Sequence, residues 1–171
     1  MDTPANFFAA AQSLNNELKR DLGPPDEPVQ AARGGIIPLA LVRNTRSYIE
    51  RVANQANGSY QNGWYDACAV MLRRFLETLI IEAFEAHSIS HKIKNPNGDF
   101  FYLTDLVDRT LSETTWNIGR NAKRAMPKLK DLGDKSAHNR RFNALRDDVE
   151  RLQDDVRVVA EELIILANLK K

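Results

Sequence analysis

Apolar residues recur at helical spacing along most of the chain, and the pattern is widest between Trp64 and His87. The apolar positions there are Ala67, Cys68, Met71, Leu72, Phe75, Leu76, Leu79, Ile80, Ala83 and Phe84. A stripe this wide leaves only narrow strips for charge, so a helix that carries it needs neighbours on more than one side. We therefore predict a central helix around which the rest of the domain packs.

Narrower apolar stripes predict further helices on both sides of the central one. Upstream, the pattern indicates a helix over residues 4–22 and another over 38–57, with Pro38 in its first turn. Downstream, it indicates a short helix over 103–111, a helix over 116–137 that kinks or restarts at Pro127, and a long last helix over 145–167. Sustained period-two alternation is absent from the sequence, so we predict an all-α bundle of five to six helices without a sheet.

A proline-rich stretch separates the first predicted helix from the others. Gly23 to Pro28 contains three prolines, which lack an amide donor and cannot continue a helix. We therefore assign residues 1–35 to an N-terminal helical arm with its linker, and residues 36–171 to the bundle. The arm either packs on its own bundle or exchanges with a second subunit, and the sequence leaves both open.

Composition excludes several classes of protein. The net charge is +1, so any attraction to nucleic acid or to a membrane surface must come from a local patch. Cys68 is the single cysteine and lies among apolar positions, which favours a buried thiol over a nucleophile. His87 and His91 lack the Glu or Cys partners of a zinc site. We expect a cytoplasmic protein with no membrane segment, no metal and no cofactor.

Charge is unevenly distributed near the C-terminal end. Residues 116–146 carry nine basic residues and two acids, whereas residues 147–162 carry seven acids and two arginines. Either the acids neutralise the basic segment, within or between subunits, or part of the basic segment faces solvent and binds phosphates. The candidate nucleic-acid-binding residues are Arg124, Lys128, Lys130, Lys135, Arg140 and Arg141.

His138 lies inside this basic segment and is the candidate for proton transfer. Metal-independent RNA cleavage needs a group that moves protons and a cation that stabilises negative charge on the phosphate. His138 suits the first role, and Arg140 or Arg141, which follow it closely, suit the second. Alternatively, His138 closes the end of a helix, where its ring bonds free carbonyls.

Arg73, Arg74 and Glu77 form a second charged group, on the central helix. Glu77 lies one helical turn beyond Arg73, so an ion pair is geometrically available. The apolar surroundings favour a partly buried, structural ion pair over a catalytic pair. Trp64 and Trp116 are interpreted as core or interface anchors rather than as platforms on which bases stack.

Two short motifs carry a resemblance to known proteins. Arg73 to Glu77 has the pattern Arg-x-x-Leu-Glu, and Gly133 to His138 has the pattern Gly-Asp-x-x-Ala-His. In their order, spacing and helical setting they resemble a bacterial family of unknown function that is similar to the HEPN superfamily, the higher-eukaryote and prokaryote nucleotide-binding helical domains. The resemblance covers about residues 63–169 and leaves the arm uncovered.

The resemblance implies an up-and-down helical bundle, commonly dimeric, in restriction, abortive-infection and toxin-antitoxin systems. Many such relatives cut RNA with an Arg and a His that are separated by four to six intervening residues. Counting back from His138 reaches Gly133, Leu132 and Asp131, none of which is basic, so this nuclease motif is broken. The hypothesis is therefore a degenerate, non-catalytic homodimeric module that binds RNA or a protein partner. The alternatives are a ribonuclease that uses His138 with Arg140 or Arg141, and a purely structural dimerisation domain.

Overall fold

The computed structural model describes residues 34–170 together with residues 9–10, 12–14 and 16–17. Over residues 34–170 the α-helices are α1 (Leu39–Val42), α2 (Ser47–Gln61), α3 (Tyr65–Ala86), α4 (Leu103–Ser112), α5 (Arg120–His138), α6 (Arg146–Glu150) and α7 (Gln153–Leu166), with a 3₁₀ turn at Ser90–Ile93. The described part of the chain contains no strand, so the all-α prediction is confirmed. The described residues between 9 and 17 are helical and exposed, and the rest of the predicted arm helix lies outside the described residues.

Helix α3 is the centre of the fold, as its apolar stripe predicts. It packs against α2, α5 and α7, with further contacts to α4 and α6. The side chains of Cys68, Leu76, Leu79, Ile80 and Phe84 are almost entirely removed from solvent. The contacts of this one helix with its neighbours therefore contribute a large part of the apolar burial that stabilises the domain.

The helix predicted over 38–57 is in fact two helices. After Val42 the chain turns through Asn44, which has a positive φ of 64°, and α2 begins at Ser47. The turn brings Arg46 to the buried Glu82 of α3, with 2.7 Å between Arg46 Nε and Glu82 Oε2. Tyr48 donates a second hydrogen bond to the same carboxylate. The interruption thus supplies partners to a buried charge, which would otherwise be costly.

The last predicted helix is also two helices, because α6 and α7 are separated by Arg151 and Leu152. The Leu152 amide bonds the Val149 carbonyl at 3.0 Å, three residues back instead of four, and this tightens the chain before α7 begins. In contrast, α5 does not restart at Pro127 but continues through it. The carbonyl that loses its amide partner belongs to the exposed Lys123, where water can replace the bond.

The helical body includes the segment just before α1. Ile36 and Ile37 are buried, and Asn57 of α2 exchanges two hydrogen bonds of 2.8 Å with the Ile37 backbone. A Cβ on Gly35 would lie 2.5 Å from the Asn57 side chain, so this approach requires glycine. None of the described helices is long and apolar enough to cross a membrane.

Candidate functional site

Helices α3 and α5 approach closely at Gly133. A Cβ added there would lie 2.5 Å from Arg73 Cβ and 3.1 Å from the Ala69 carbonyl oxygen. Carbon atoms in contact normally lie about 3.5–4.0 Å apart, so a side chain would force the two helices apart. The glycine of the second motif therefore allows the backbone of α5 to lie against the arginine of the first motif.

Arg73 and Asp134 join the two motifs at this crossing. Arg73 Nε lies 2.7 Å from Asp134 Oδ1, while Arg73 Nη1 lies 3.8 Å from Glu77 Oε2. Lys130 Nζ approaches the second oxygen of Asp134 at 2.9 Å. Arg74 is exposed and has no ion pair among the described residues. The shortest ion pair of Arg73 is thus made with α5 rather than with Glu77.

The pKa values at the crossing reflect this pairing. Partial burial by itself raises the pKa of Asp134, but hydrogen bonds from Lys130 and Arg73 outweigh it and lower the pKa below 3.8. The hydrogen bond to Asp134 raises the pKa of Lys130. Both groups are therefore held in their charged forms near neutral pH.

His138 is the last residue of α5, and its side chain is exposed. Among the described residues its ring has no hydrogen-bond partner, so the proposed bond to a free carbonyl at the helix end is not present. The Asn139 amide instead bonds the Lys135 carbonyl at 3.0 Å. The ring is consequently open to solvent and to any ligand at this end of α5.

The turn after α5 presents Arg140 and Arg141 to solvent. Asn139 Oδ1 accepts a hydrogen bond of 3.0 Å from the Arg141 amide, which fixes the turn locally. Phe142 packs against the core, and the Ala144 amide donates to Asp66 Oδ1 on α3 at 2.9 Å. The backbone is therefore anchored on both sides of two exposed arginines.

The six basic residues predicted to bind nucleic acid divide into two groups. Lys128 pairs with Asp155 of α7 at 2.9 Å, and Lys130 pairs with Asp134. The other four have exposed side chains and no ion pair within the part of the chain that the structure describes; they are Arg124, Lys135, Arg140 and Arg141. Neutralisation and exposure, which the sequence presents as alternatives, therefore both occur, at different positions.

A sequence comparison identifies the family. The model of a family described as a domain of unknown function, DUF4145, matches residues 54–171, which is more than half of the chain. The chain belongs to this family. The DUF4145 match includes both motifs that meet at Arg73 and Asp134, and the turn with Arg140 and Arg141. Comparisons with curated proteins and with solved structures give no significant match.

The two tryptophans of the DUF4145 region occupy different environments. Trp116 packs edge-on against Phe84, with ring centroids 4.8 Å apart, and donates to the Thr110 carbonyl. Trp64, in contrast, is 43% exposed at the start of α3. Trp116 is thus a core anchor as predicted, whereas Trp64 is too exposed to be a core anchor, and its interpretation as an interface anchor stays a prediction.

Thiol and metal chemistry find no support in the described residues. Burial raises the pKa of Cys68 to about 12, so the thiol stays protonated and unreactive near neutral pH. Among the residues that the structure describes, no group of three His, Cys, Asp or Glu side chains is placed to hold a metal ion.

Sequence reasoning missed two carboxylates that matter in this DUF4145 domain. Asp134 is one of only two acids in the basic segment, and that isolation was an available signal for a specific ion pair. Glu82 interrupts the apolar stripe of α3, which was a signal for a buried charge. The partner of each lies on another helix, and sequence spacing alone does not identify such a partner.

Proposed function

We propose that this domain is a non-catalytic, HEPN-like module that binds RNA through the basic end of α5. We define the basic end as Lys135, His138, Arg140 and Arg141; Arg124 lies near the start of α5 and is not part of it. The observation that supports it most directly is that the three Lys and Arg side chains of this set are exposed and unpaired among the described residues. Unpaired cations attract phosphates without first losing a carboxylate partner.

The arrangement suits a phosphate backbone. Arginines at neighbouring positions 140 and 141 offer planar donor groups that match phosphate oxygens. Since the net charge of the whole chain is +1, attraction to RNA has to be local rather than global. A protein partner that covers the same surface is the competing outcome of the experiment below.

The test is the salt dependence of RNA binding. Each phosphate contact with single-stranded RNA contributes about 0.7 to the slope of log affinity against log salt. Removing two contacts with Arg140→Ala and Arg141→Ala should therefore reduce the slope by about 1.4. Fluorescence anisotropy of a labelled single-stranded oligonucleotide at several salt concentrations gives the slopes.

The matched control removes two cations elsewhere. Arg43 and Arg51 are exposed and have no ion pair in the described part of the chain. Arg43→Ala with Arg51→Ala makes the same change in net charge, and it should leave the slope unchanged. Equal slopes for the two double variants would show that only net charge matters and would remove the proposed contact surface.

A second candidate function is metal-independent RNA cleavage. It is favoured by one observation, the exposed ring of His138 two residues before Arg140. A histidine in this position can move a proton while the arginine stabilises negative charge on the phosphate. RNA cleavage by the purified protein that is abolished by His138→Ala, with the helical circular dichroism unchanged, would establish this function.

The HEPN-like class also leads us to propose a homodimer in a cytoplasmic, defence-related setting. The support is the resemblance of the two motifs, which in this domain meet at Arg73 and Asp134. Sedimentation equilibrium tests the dimer directly. A stable dimer that neither binds nor cuts RNA would instead favour a purely structural dimerisation domain.

A further inference from the structure

An open groove of about 750 Å³ lies between the C-terminal half of α2 and the first turns of α3. We call it the Trp64 groove. Helix α2 contributes Gln55 and Gly58, and α3 contributes Val70 and Arg74 beside Trp64 itself. None of these residues belongs to the basic end of α5, so the groove is a separate surface.

The chemistry of the Trp64 groove combines four elements. Trp64, at 43% exposure, offers aromatic surface. The Gln55 amide offers a donor and an acceptor, and Asn62 offers its side-chain oxygen, since its Nδ2 donates to the Gly58 carbonyl at 2.7 Å. Arg74 adds an exposed cation without an ion pair in the described region, and Asp66 adds a carboxylate at the edge. An aromatic surface, amides and a cation together suit a nucleobase with its phosphate, because bases stack on aromatic rings and offer polar edges.

The groove lies near the turn that is proposed to hold phosphates. Asp66 lines the groove, and its Oδ1 accepts the hydrogen bond from the Ala144 amide. Ala144 follows Arg141 by three residues, a span of at most roughly 11 Å even in extended chain. The hydrogen bond between Asp66 and Ala144 therefore places the turn after α5 beside the Trp64 end of the groove.

We propose that the Trp64 groove binds an unstacked base of single-stranded RNA, with the base against Trp64 and a neighbouring phosphate at Arg74. The identity of the ligand as RNA rests on the proposed function. Base stacking on an aromatic side chain contributes affinity that is largely independent of salt, which distinguishes it from the contribution of the arginines.

The experiment uses Trp64 both as a residue to change and as a probe. In the Trp116→Phe variant, fluorescence comes from Trp64, the only other tryptophan of the chain. A single-stranded RNA oligonucleotide should quench this emission as it binds. In the wild-type background, Trp64→Leu should weaken binding by about 5- to 160-fold without changing the salt slope. Tyr102→Leu is the control, since Tyr102 is an aromatic residue with 84% exposure away from the groove.

A second variant blocks the groove and leaves Trp64 in place. A Cβ at Gly58 meets no atom within 4 Å, so a side chain can start there without a clash. Unchanged helical circular dichroism of Gly58→Leu checks that α2 keeps its fold. The added side chain should occupy part of the groove and weaken RNA binding in the same range as Trp64→Leu. Unchanged binding by Gly58→Leu and Trp64→Leu together would overturn the groove as a base site.

The outcomes separate this inference from the proposed function. One outcome overturns the groove as a base site but not the proposed function. In it, RNA binding depends on Arg140 and Arg141, RNA does not quench the Trp64 emission, and Trp64→Leu does not change the affinity for RNA. Quenching of Trp64 by uridine monophosphate, in a protein that binds no RNA, overturns the proposed function but supports a nucleotide site in the groove. If the protein binds no RNA and uridine monophosphate does not quench Trp64, the proposed function and the groove inference are both overturned. Trp64 emission that iodide cannot quench in the unliganded protein, together with a dimeric mass, shows that a second copy fills the groove and also overturns the inference.

Discussion

The crossing of α3 and α5 and the turn after α5 both contain residues of the basic segment. At the crossing the charges are paired and partly buried, whereas in the turn they are unpaired and exposed. At the crossing, Arg73 and Lys130 share Asp134, and the Arg73 and Asp134 side chains are only 25% and 31% exposed. In the turn, Arg140 and Arg141 are exposed and no carboxylate of the described residues pairs with them. Paired, half-buried charges fix how helices pack, whereas unpaired charges remain available to a ligand.

The distance between helix backbones explains the difference. Gly133 lets α5 lie directly on α3, so charged side chains at the crossing lose water and require partners. Beyond His138 the chain leaves the helix and projects from the packed surface, where water solvates an arginine without any partner. Packing geometry, rather than the density of charge along the sequence, thus decides which basic residues are structural.

The largest expected effect comes from breaking the close approach itself. In Gly133→Ala the added methyl would lie 2.5 Å from Arg73 Cβ, an atom that cannot move without its backbone. Overpacking of this kind should lower the free energy of unfolding by about 1–3 kcal/mol. Urea denaturation followed by circular dichroism measures it.

Gly58→Ala is the matched glycine control, because it lies in α2 with open space around its Cβ position. It should raise the free energy of unfolding by about 0.5–1 kcal/mol, since alanine loses less backbone entropy in a helix. If Gly133→Ala is as stable as the Gly58→Ala control, the crossing is not limited by a steric contact and the explanation above is wrong.

The all-helical class and the position of α3 follow from the sequence because they depend on local periodicity, which survives in any packing. The helix breaks at Asn44 and Leu152 do not follow from the sequence, because both occur inside continuous apolar stripes. The pairing of Arg73 with Asp134 was also out of reach, because it depends on how α5 is placed across α3. Likewise, the division of basic residues into paired and unpaired ones requires knowing which carboxylates come close in space.

Acid should weaken the crossing and leave the turn unaffected. Asp134 has a folded-state pKa below its ordinary 3.8, so its ion pairs contribute full stability above that pH. This contribution is lost as the pH falls through the lower, folded-state pKa. Asp134→Asn should therefore cost about 1–2 kcal/mol at neutral pH, and the difference from wild type should shrink toward zero in acid.

Arg140→Ala with Arg141→Ala is the comparison for this pH profile, because those arginines pair with no carboxylate in the described chain. Its unfolding free energy should follow that of the wild type at every pH. Some acid sensitivity should remain in Asp134→Asn, since hydrogen bonds from Lys92 and Thr115 lower the pKa of Glu113 to about 2. If the unfolding free energies of the wild type and of Asp134→Asn differ by the same amount from neutral pH into acid, the pairing of Asp134 with Arg73 and Lys130 is contradicted.

The smallest effect should come from converting a paired cation of α5 into an unpaired one. Lys128 is 57% exposed but is paired with Asp155, so Lys128→Ala should weaken RNA binding less than Arg141→Ala does. Asp155→Asn removes the competing carboxylate and frees Lys128 for phosphate. We expect tighter RNA binding and a salt slope that is steeper by up to about 0.7, measured by fluorescence anisotropy.

Glu161→Gln provides the control for Asp155→Asn, because it removes one negative charge from the same helix α7. Glu161 pairs with Arg157 at 3.1 Å, within α7 itself, and therefore releases no cation on α5. Its effect on RNA affinity should be only the small one that the change in net charge produces. If both variants tighten RNA binding equally, Lys128 makes no phosphate contact of its own. Pairing with a carboxylate would then not be what separates structural from ligand-binding cations on this helix.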